Sequence, residues 1–286
     1  MSGAADVPGA VSAWEEEQHA GWRLRFAPEP LGASLSLRRE LISAATAVAD
    51  SLAGTPVRRS RHGATYRIAL SGDTVVFVKL FDPVRNMGRL KRWFRRSRAE
   101  NAAQIAGKLA AAGFGVARPL MVGCEEHGGR TMVATDRVVG EPLVRVLAHL
   151  GGGSWPQRRV VLRDLGWEVG RLHRMGFVHG DLTPYNVFVT GGARMGFVFI
   201  DHERTRRAFF VGRGRRQMRN LVQLGRFLLP TLTTRDYARF LRSYAAALGS
   251  RRTGRKRLAR RVVSMLKRRI AADKLGLRSP TPPPKR

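Results

Sequence analysis

Apolar positions recur along the chain with two different periods, and each change of period marks an element. Arg23-Leu-Arg-Phe26 alternates briefly and reads as a short strand before Pro28 and Pro30. Leu41, Ile42, Ala45, Val48 and Ala49 follow at helical spacing, predicting a helix over 38–52 that Gly54 and Pro56 end. Ala64–Leu70 and Thr74–Leu80 are strand-like runs joined by Ser71-Gly72-Asp73, the pattern of a hairpin. Ala103, Ile105, Ala106, Leu109 and Ala110 give an apolar side to a helix over about 97–112. Leu120–Cys124 and Thr131–Thr135 make a second hairpin, and Gly140-Glu-Pro-Leu143 opens a new helix. Beyond a linker at Gly151–Pro156, Val161, Leu162, Leu165, Val169 and Leu172 predict a buried helix over 157–175. A tight loop, a strand at Met195–Ile200 and two amphipathic helices over 220–229 and 234–248 come next. Strands thus dominate the first half and helices the second, an α+β arrangement. Residues 1–21, small and polar around Glu15-Glu16-Glu17, read as a loose tail, and Ser279–Arg286 as a Pro-rich disordered end.

Composition narrows the classes. A chain of 286 residues with 43% hydrophobic content suits one large domain or two lobes and excludes wholesale disorder. The single cysteine, Cys124, cannot form an internal disulfide and is compatible with a reducing compartment. No apolar run approaches the length of a membrane span, and the start of the chain predicts no leader peptide. Charge changes the picture most, with 52 Lys+Arg against 21 Asp+Glu, formally +31. Such a field attracts a polyanion: nucleic acid, an anionic membrane surface or a phosphorylated glycolipid. Only seven of the basic residues are Lys, so part of the excess reads as a compositional habit. The charge is concentrated in 85–98, 204–219 and 251–270; the last also carries Leu258, Val262, Leu266 and Ile270 along one face. A basic amphipathic helix of that kind reads equally as membrane-binding or as a lid over its own domain.

The chemistry lies in His179-Gly-Asp-Leu-Thr-Pro-Tyr-Asn186, answered by Phe199-Ile-Asp201 at the end of a hydrophobic strand. A loop carboxylate, a carboxamide five residues on and a second carboxylate one hairpin later have the spacing of a kinase catalytic loop and its metal-binding Asp. Phosphoryl transfer needs alignment and charge neutralisation more than covalent help. Asp181 would orient the acceptor hydroxyl, while Asn186 and Asp201 offer hard oxygen ligands to Mg²⁺. His179 reads as a packing and hydrogen-bonding residue of the loop. Upstream, Val75-Val-Phe-Val-Lys79 is similar to the strand that sends a Lys to the phosphates of ATP, and Glu100 on the next helix is its candidate partner. Gly63 is the one glycine of a degenerate phosphate-covering loop, and Thr135, Asp136 and Val138 occupy the position where kinase backbone groups hold adenine. Thr183 stands where protein kinases usually have Lys, and Asp201-His202-Glu203 replaces the usual Asp-Phe-Gly. With no later Ala-Pro-Glu anchor, a long regulated activation segment is not expected.

These motifs, with the Ser97–Leu109 and Arg219–Leu228 segments, resemble the bacterial lipopolysaccharide kinase family, the Kdo and heptose kinases of the inner core. The resemblance covers roughly residues 57–245. It implies a two-lobed protein-kinase-like fold with a tail over 1–22, lobes over 23–138 and 139–250, and a basic C-terminal helix and tail over 251–286. It also implies ATP and Mg²⁺ as cofactors and an anionic lipopolysaccharide-core glycolipid as acceptor at the cytoplasmic face of the inner membrane. The alternatives are a compact atypical Ser/Thr protein kinase, or a catalytically silent module holding an anionic partner. The intact set Lys79, Asp181, Asn186 and Asp201 argues against the silent module. Sparse aromatics and no RNA-binding signature argue against nucleic acid. No protein partner is identifiable from the sequence.

Overall fold

The computed structural model describes residues 14–28, 35–50, 54–60, 62–83, 97–150, 155–191, 195–208, 213–228, 232–249 and 252–274. The elements begin with β1 (Glu15–His19), β2 (Trp22–Phe26), α1 (Leu35–Ala49), β3 (Arg58–Ser60), β4 (Gly63–Ala69), β5 (Val75–Phe81) and α2 (Arg98–Ala111). Next come β6 (Gly115–Val116), β7 (Pro119–Glu125), β8 (Thr131–Asp136), β9 (Glu141–Pro142), α3 (Leu143–His149), α4 (Trp155–Arg174) and β10 (Phe177–Val178). The chain continues with β11 (Val187–Thr190), β12 (Gly196–Phe199), β13 (Arg206–Arg207), α5 (Arg213–Leu228), α6 (Thr234–Ala247) and α7 (Arg252–Lys274). This is an α+β chain whose antiparallel N-terminal sheet and seven described helices are those of a two-lobed kinase-like fold. It divides into two compact units, 1–95 with 118–136, and 96–117 with 137–286.

The first unit is a seven-stranded antiparallel sheet in the order β1-β2-β7-β8-β5-β4-β3, with α1 on one face. Strand alternation sends Val76, Val78 and Leu80 into the core with Leu41, Ile42, Ala45 and Val48 of α1. Lys79, out of phase with those three, lies on the opposite face of β5. The sequence reading of a loose tail through residue 22 is corrected for residues 14–22, and its first thirteen residues lie outside the described residues. Glu15–His19 pairs with Trp22–Phe26, whose Trp22, Leu24 and Phe26 are buried. Apolar burial, worth about 2 kcal/mol or more per large side chain, holds that hairpin. Part-exposed ion pairs such as Arg38 with Glu17 at 3.1 Å add about 1 kcal/mol or less. Alternation of only three apolar residues is a weak signal, and the acidic knot masked it.

The second unit is built on α4, whose Val161, Leu162, Leu165, Val169 and Leu172 are fully buried against the rest of its core. A small sheet in the order β6-β12-β11-β9 lies in the same unit. Helix α2, expected with the first lobe, falls in this unit. Its Ile105 and Leu109, with Phe114, belong to the α4 core, and β6 pairs in parallel with β12. Ser97 and Glu100 close a reciprocal capping box at its start. Helix α5 starts at Arg213, seven residues before the predicted start, inside the arginine-rich segment. The apolar face of α7 is partly spent inside this unit, where Val262 and Leu266 are buried. The lid reading therefore describes that face, while Val263 stays 41% exposed. The expected disordered end, most of the basic stretch over 85–98 and Phe209-Phe210 lie outside the described residues.

Candidate active site

The loop after β10 is held by hydrogen bonds that leave little rotational choice. The backbone N–H of Asp181 donates to His179 Nδ1 at 3.2 Å, so that nitrogen is the acceptor. The other, Nε2, donates to the Ile200 carbonyl at 2.9 Å. His179 is fully buried and neutral in that arrangement, tying the loop to the end of β12. Gly180 is required between the two, since a Cβ there would sit 2.4 Å from the Arg204 carbonyl oxygen. Asn186 reaches back, its Nδ2 donating to the Asp181 carbonyl at 2.9 Å and more loosely to Asp181 Oδ2 at 3.4 Å. Its Oδ1 is buried and has no hydrogen-bond partner among the described residues. An acceptor left so costs about 1–3 kcal/mol unless something meets it.

The β11–β12 hairpin brings the second carboxylate to the same place. Val187 pairs with Phe199 and the Ile200 N–H donates to the Asn186 carbonyl at 3.1 Å, so Ile200 stands opposite Asn186 and Asp201 follows one residue later. Asp201 has φ 68° and ψ 60°, the left-handed region that Asp tolerates better than most residues. A buried oxygen acceptor without a partner among the described residues, with an aspartate next in the chain to the residue paired with it, suits a hard cation such as Mg²⁺. His202 then turns inward, donating from Nε2 to the Phe199 carbonyl at 2.9 Å and accepting from the Thr205 hydroxyl at 3.3 Å. Burial, and secondarily the neighbouring His179 ring, push its pKa down to about 3. It is a neutral structural imidazole where protein kinases usually have Phe. Asn101 of α2 donates to the Glu203 carbonyl at 2.9 Å, docking that helix on the turn after Asp201.

Sequence reasoning missed the support under the loop. Of three side-chain amides spaced three apart on α5, two bond to the loop and one to the end of α4 that precedes it. Gln217 donates to the His173 carbonyl at 3.0 Å, Asn220 to the His179 carbonyl, and Gln223 to Asp181 Oδ1 at 3.1 Å. Asn220 Oδ1 in turn accepts from His173 Nε2 at 3.0 Å, and His173 Nδ1 accepts from the Tyr244 hydroxyl at 2.8 Å. An Asn and a Gln among the inward residues Leu221, Val222 and Leu224 were the available signal.

The remaining expected residues sit as follows. Lys79 lies at mid-strand, its ammonium 5.2 Å from the Phe81 ring centroid. Gly63 opens β4 opposite Phe81, where a Cβ would lie 1.9 Å from the Leu80 carbonyl oxygen. Strand packing alone therefore accounts for that glycine. Thr135 and Asp136 end β8, and Asp136 accepts from the Arg118 N–H at 2.6 Å. Burial raises the Asp136 pKa, partly offset by Arg118. The chain passes from the first unit to the second between Asp136 and Arg137, and Val138 follows half-buried. Glu100 accepts from the Ser97 N–H at 2.9 Å as the reciprocal half of its helix cap.

A sequence profile of the lipopolysaccharide kinase (Kdo/WaaP) family matches residues 84–244, more than half of the chain. The chain belongs to that family. The Kdo/WaaP match takes in Glu100, Thr135, Asp136, Val138, Asp181, Asn186, Asp201 and Gln223, whereas Gly63 and Lys79 precede it. Two archaeal proteins are also similar. One, from Archaeoglobus fulgidus, is named "Probable serine/threonine-protein kinase BUD32 homolog" and is 29% identical over 133 residues. The other, "KEOPS complex subunit Bud32" from Pyrococcus abyssi, is 32% identical over 98 residues. These alignments cover 45% and 34% of this Kdo/WaaP-family chain, and the chain spans 60% and 41% of the two relatives.

Proposed function

We propose that the protein is an ATP-dependent kinase that phosphorylates a sugar hydroxyl, Kdo or heptose, of the lipopolysaccharide inner core. The observation that supports the reading is the buried Asn186 amide oxygen, without a partner among the described residues, on a side chain that also reaches Asp181. Asp181 accepts the hydrogen bond, and then the proton, of the acceptor hydroxyl. Asn186 and Asp201 would hold Mg²⁺, which when bound neutralises phosphate charge as the bond to phosphorus changes hands. Lys79, supported by Glu100, would bind the α- and β-phosphates. Gly63, Thr135, Asp136 and Val138 complete the proposed nucleotide contacts. The net charge of +31 favours an anionic glycolipid acceptor and a peripheral position on the cytoplasmic face of the inner membrane. A second reading, a compact atypical Ser/Thr protein kinase, rests on the likeness to the two archaeal Bud32 proteins.

Labelled ATP and Mg²⁺, supplied with membranes carrying core glycolipid and with a generic protein substrate, separate the two. Label in the glycolipid supports the first reading; label on protein alone supports the second. Asp181→Asn should abolish transfer while leaving the unfolding transition in place, and undiminished turnover would remove Asp181 from its role.

A further inference from the structure

We infer that Gln223 is a positioning residue that sets the rotation of the Asp181 carboxylate, so that Oδ2 rather than Oδ1 meets the acceptor hydroxyl. The inference rests on the kinase reading above. An aspartate carboxylate has a broad, roughly two-fold torsion about its last bond, so nothing intrinsic chooses which oxygen points where. Here a donor chooses. Gln223 Nε2 occupies Oδ1 at 3.1 Å, whereas Oδ2 receives only the long 3.4 Å approach of Asn186, whose better bond goes to the Asp181 carbonyl. Oδ2 is therefore the less engaged oxygen and the better placed to accept a strong hydrogen bond.

The anchor is rigid for a stated reason. Gln223 lies on a 16-residue helix that also holds the loop one turn earlier through Asn220. Asn220 is itself oriented through His173 and Tyr244. Helix α5 therefore grips the loop at His179 and at Asp181 with neutral donors. The residue type matters as well. This chain has 52 Lys+Arg, yet the group facing Asp181 is an uncharged amide. A guanidinium would engage both carboxylate oxygens as a fork and so favour neither for the acceptor. An amide orients one oxygen and leaves the other.

The test is steady-state transfer from labelled ATP to core-glycolipid membranes by the full chain, wild type and variants, with thermal unfolding recorded beside it. Gln223→Met keeps the length and removes the donor. It should lower kcat at least about tenfold, the scale of a misaligned reacting group, with KM for ATP and the melting temperature unchanged. Gln223→His, which restores an N–H at similar reach, should recover most of the loss. Gln223→Glu, of equal size, should do worse than Met because it sets a second carboxylate against Oδ1. A merely structural role predicts instead a lower melting temperature and no recovery by His, and would overturn the inference. Wild-type kcat in both Met and Glu variants would overturn it too while leaving the kinase reading standing. Absence of transfer by the wild type to any acceptor would remove the kinase reading, and this inference with it.

Discussion

Two buried imidazoles, His179 and His202, lie with ring centroids 5.3 Å apart beneath the loop and the turn that carry the carboxylates. Each donates to a carbonyl of the β12 end and accepts from a group that can only donate or rotates to do so. The pair is thus satisfied when neutral and has no place for a second positive charge. The pKa of about 3 at His202 turns this into a pH dependence. Below the ordinary value near 6.5 the unfolded chain takes up a proton that the folded chain refuses until about 3. Stability from this residue is therefore complete above that range and declines as pH falls through it, by up to about 1.4 kcal/mol per pH unit. Urea unfolding at about pH 7 and about pH 5 should show the drop, and His202→Gln should flatten it. An equal pH slope in the variant would assign the loss to other groups. At this scale the sequence was most readable where the chemistry is local in the chain. Asp181, Asn186 and Asp201 sit within one loop and one hairpin, so spacing alone singles them out as candidates. Gln223 and Asn220 act from another helix, and spacing carries no trace of that contact.

Elements were legible where their ends carry their own chemistry. Ser97 with Glu100, and Thr233 with Asp236, are reciprocal caps that set where α2 and α6 begin. In α6 the cap is also a buried ionic node. Asp236, with no exposed surface, accepts from the Thr233 N–H at 3.0 Å and from Arg158 of α4 at 2.9 Å. Removing one partner from such a pair leaves a buried charge uncompensated. Asp236→Ala should accordingly cost about 3–5 kcal/mol, read as a lower urea midpoint. A loss below about 1 kcal/mol would reduce the residue to an ordinary cap. Elements were illegible where their partners decide their place. The short strands β9, β10 and β13 have two residues each and exist only through pairing. Helix α2 has the amphipathic stripe the sequence predicted, but a stripe does not name the core it enters. Its docking through Ile105, Leu109 and Asn101 did that.

For the whole molecule, the charge was plain from composition, and its partner was not, because an electrostatic field selects a sign rather than a molecule. The burial of Val262 and Leu266 narrows how α7 could meet a membrane. With that face occupied, attraction to a bilayer would come mainly from exposed cations such as Lys256, Arg260 and Lys267. Contact of this kind is screened within roughly 8 Å at physiological salt. The protein should float with anionic vesicles at low salt, dissociate at about 0.5 M salt, and ignore neutral vesicles. Reversing those three charges to Glu should weaken flotation, whereas unchanged flotation would place the contact surface elsewhere. Flotation that survives high salt would point to apolar insertion instead.

The left-handed backbone at Asp201 also limits how this lineage could lose its chemistry. Among ordinary residues, Gly, Asn and Asp hold that conformation with the least strain. A descendant that abandons catalysis without abandoning its fold would thus reach Asn or Gly there far more readily than Ala or Val. Saturation mutagenesis at this codon, scored separately for abundance and for transfer, should retain three residues in the first selection and one in the second. Such a site records the difference between a protein that has decayed and one that has been repurposed.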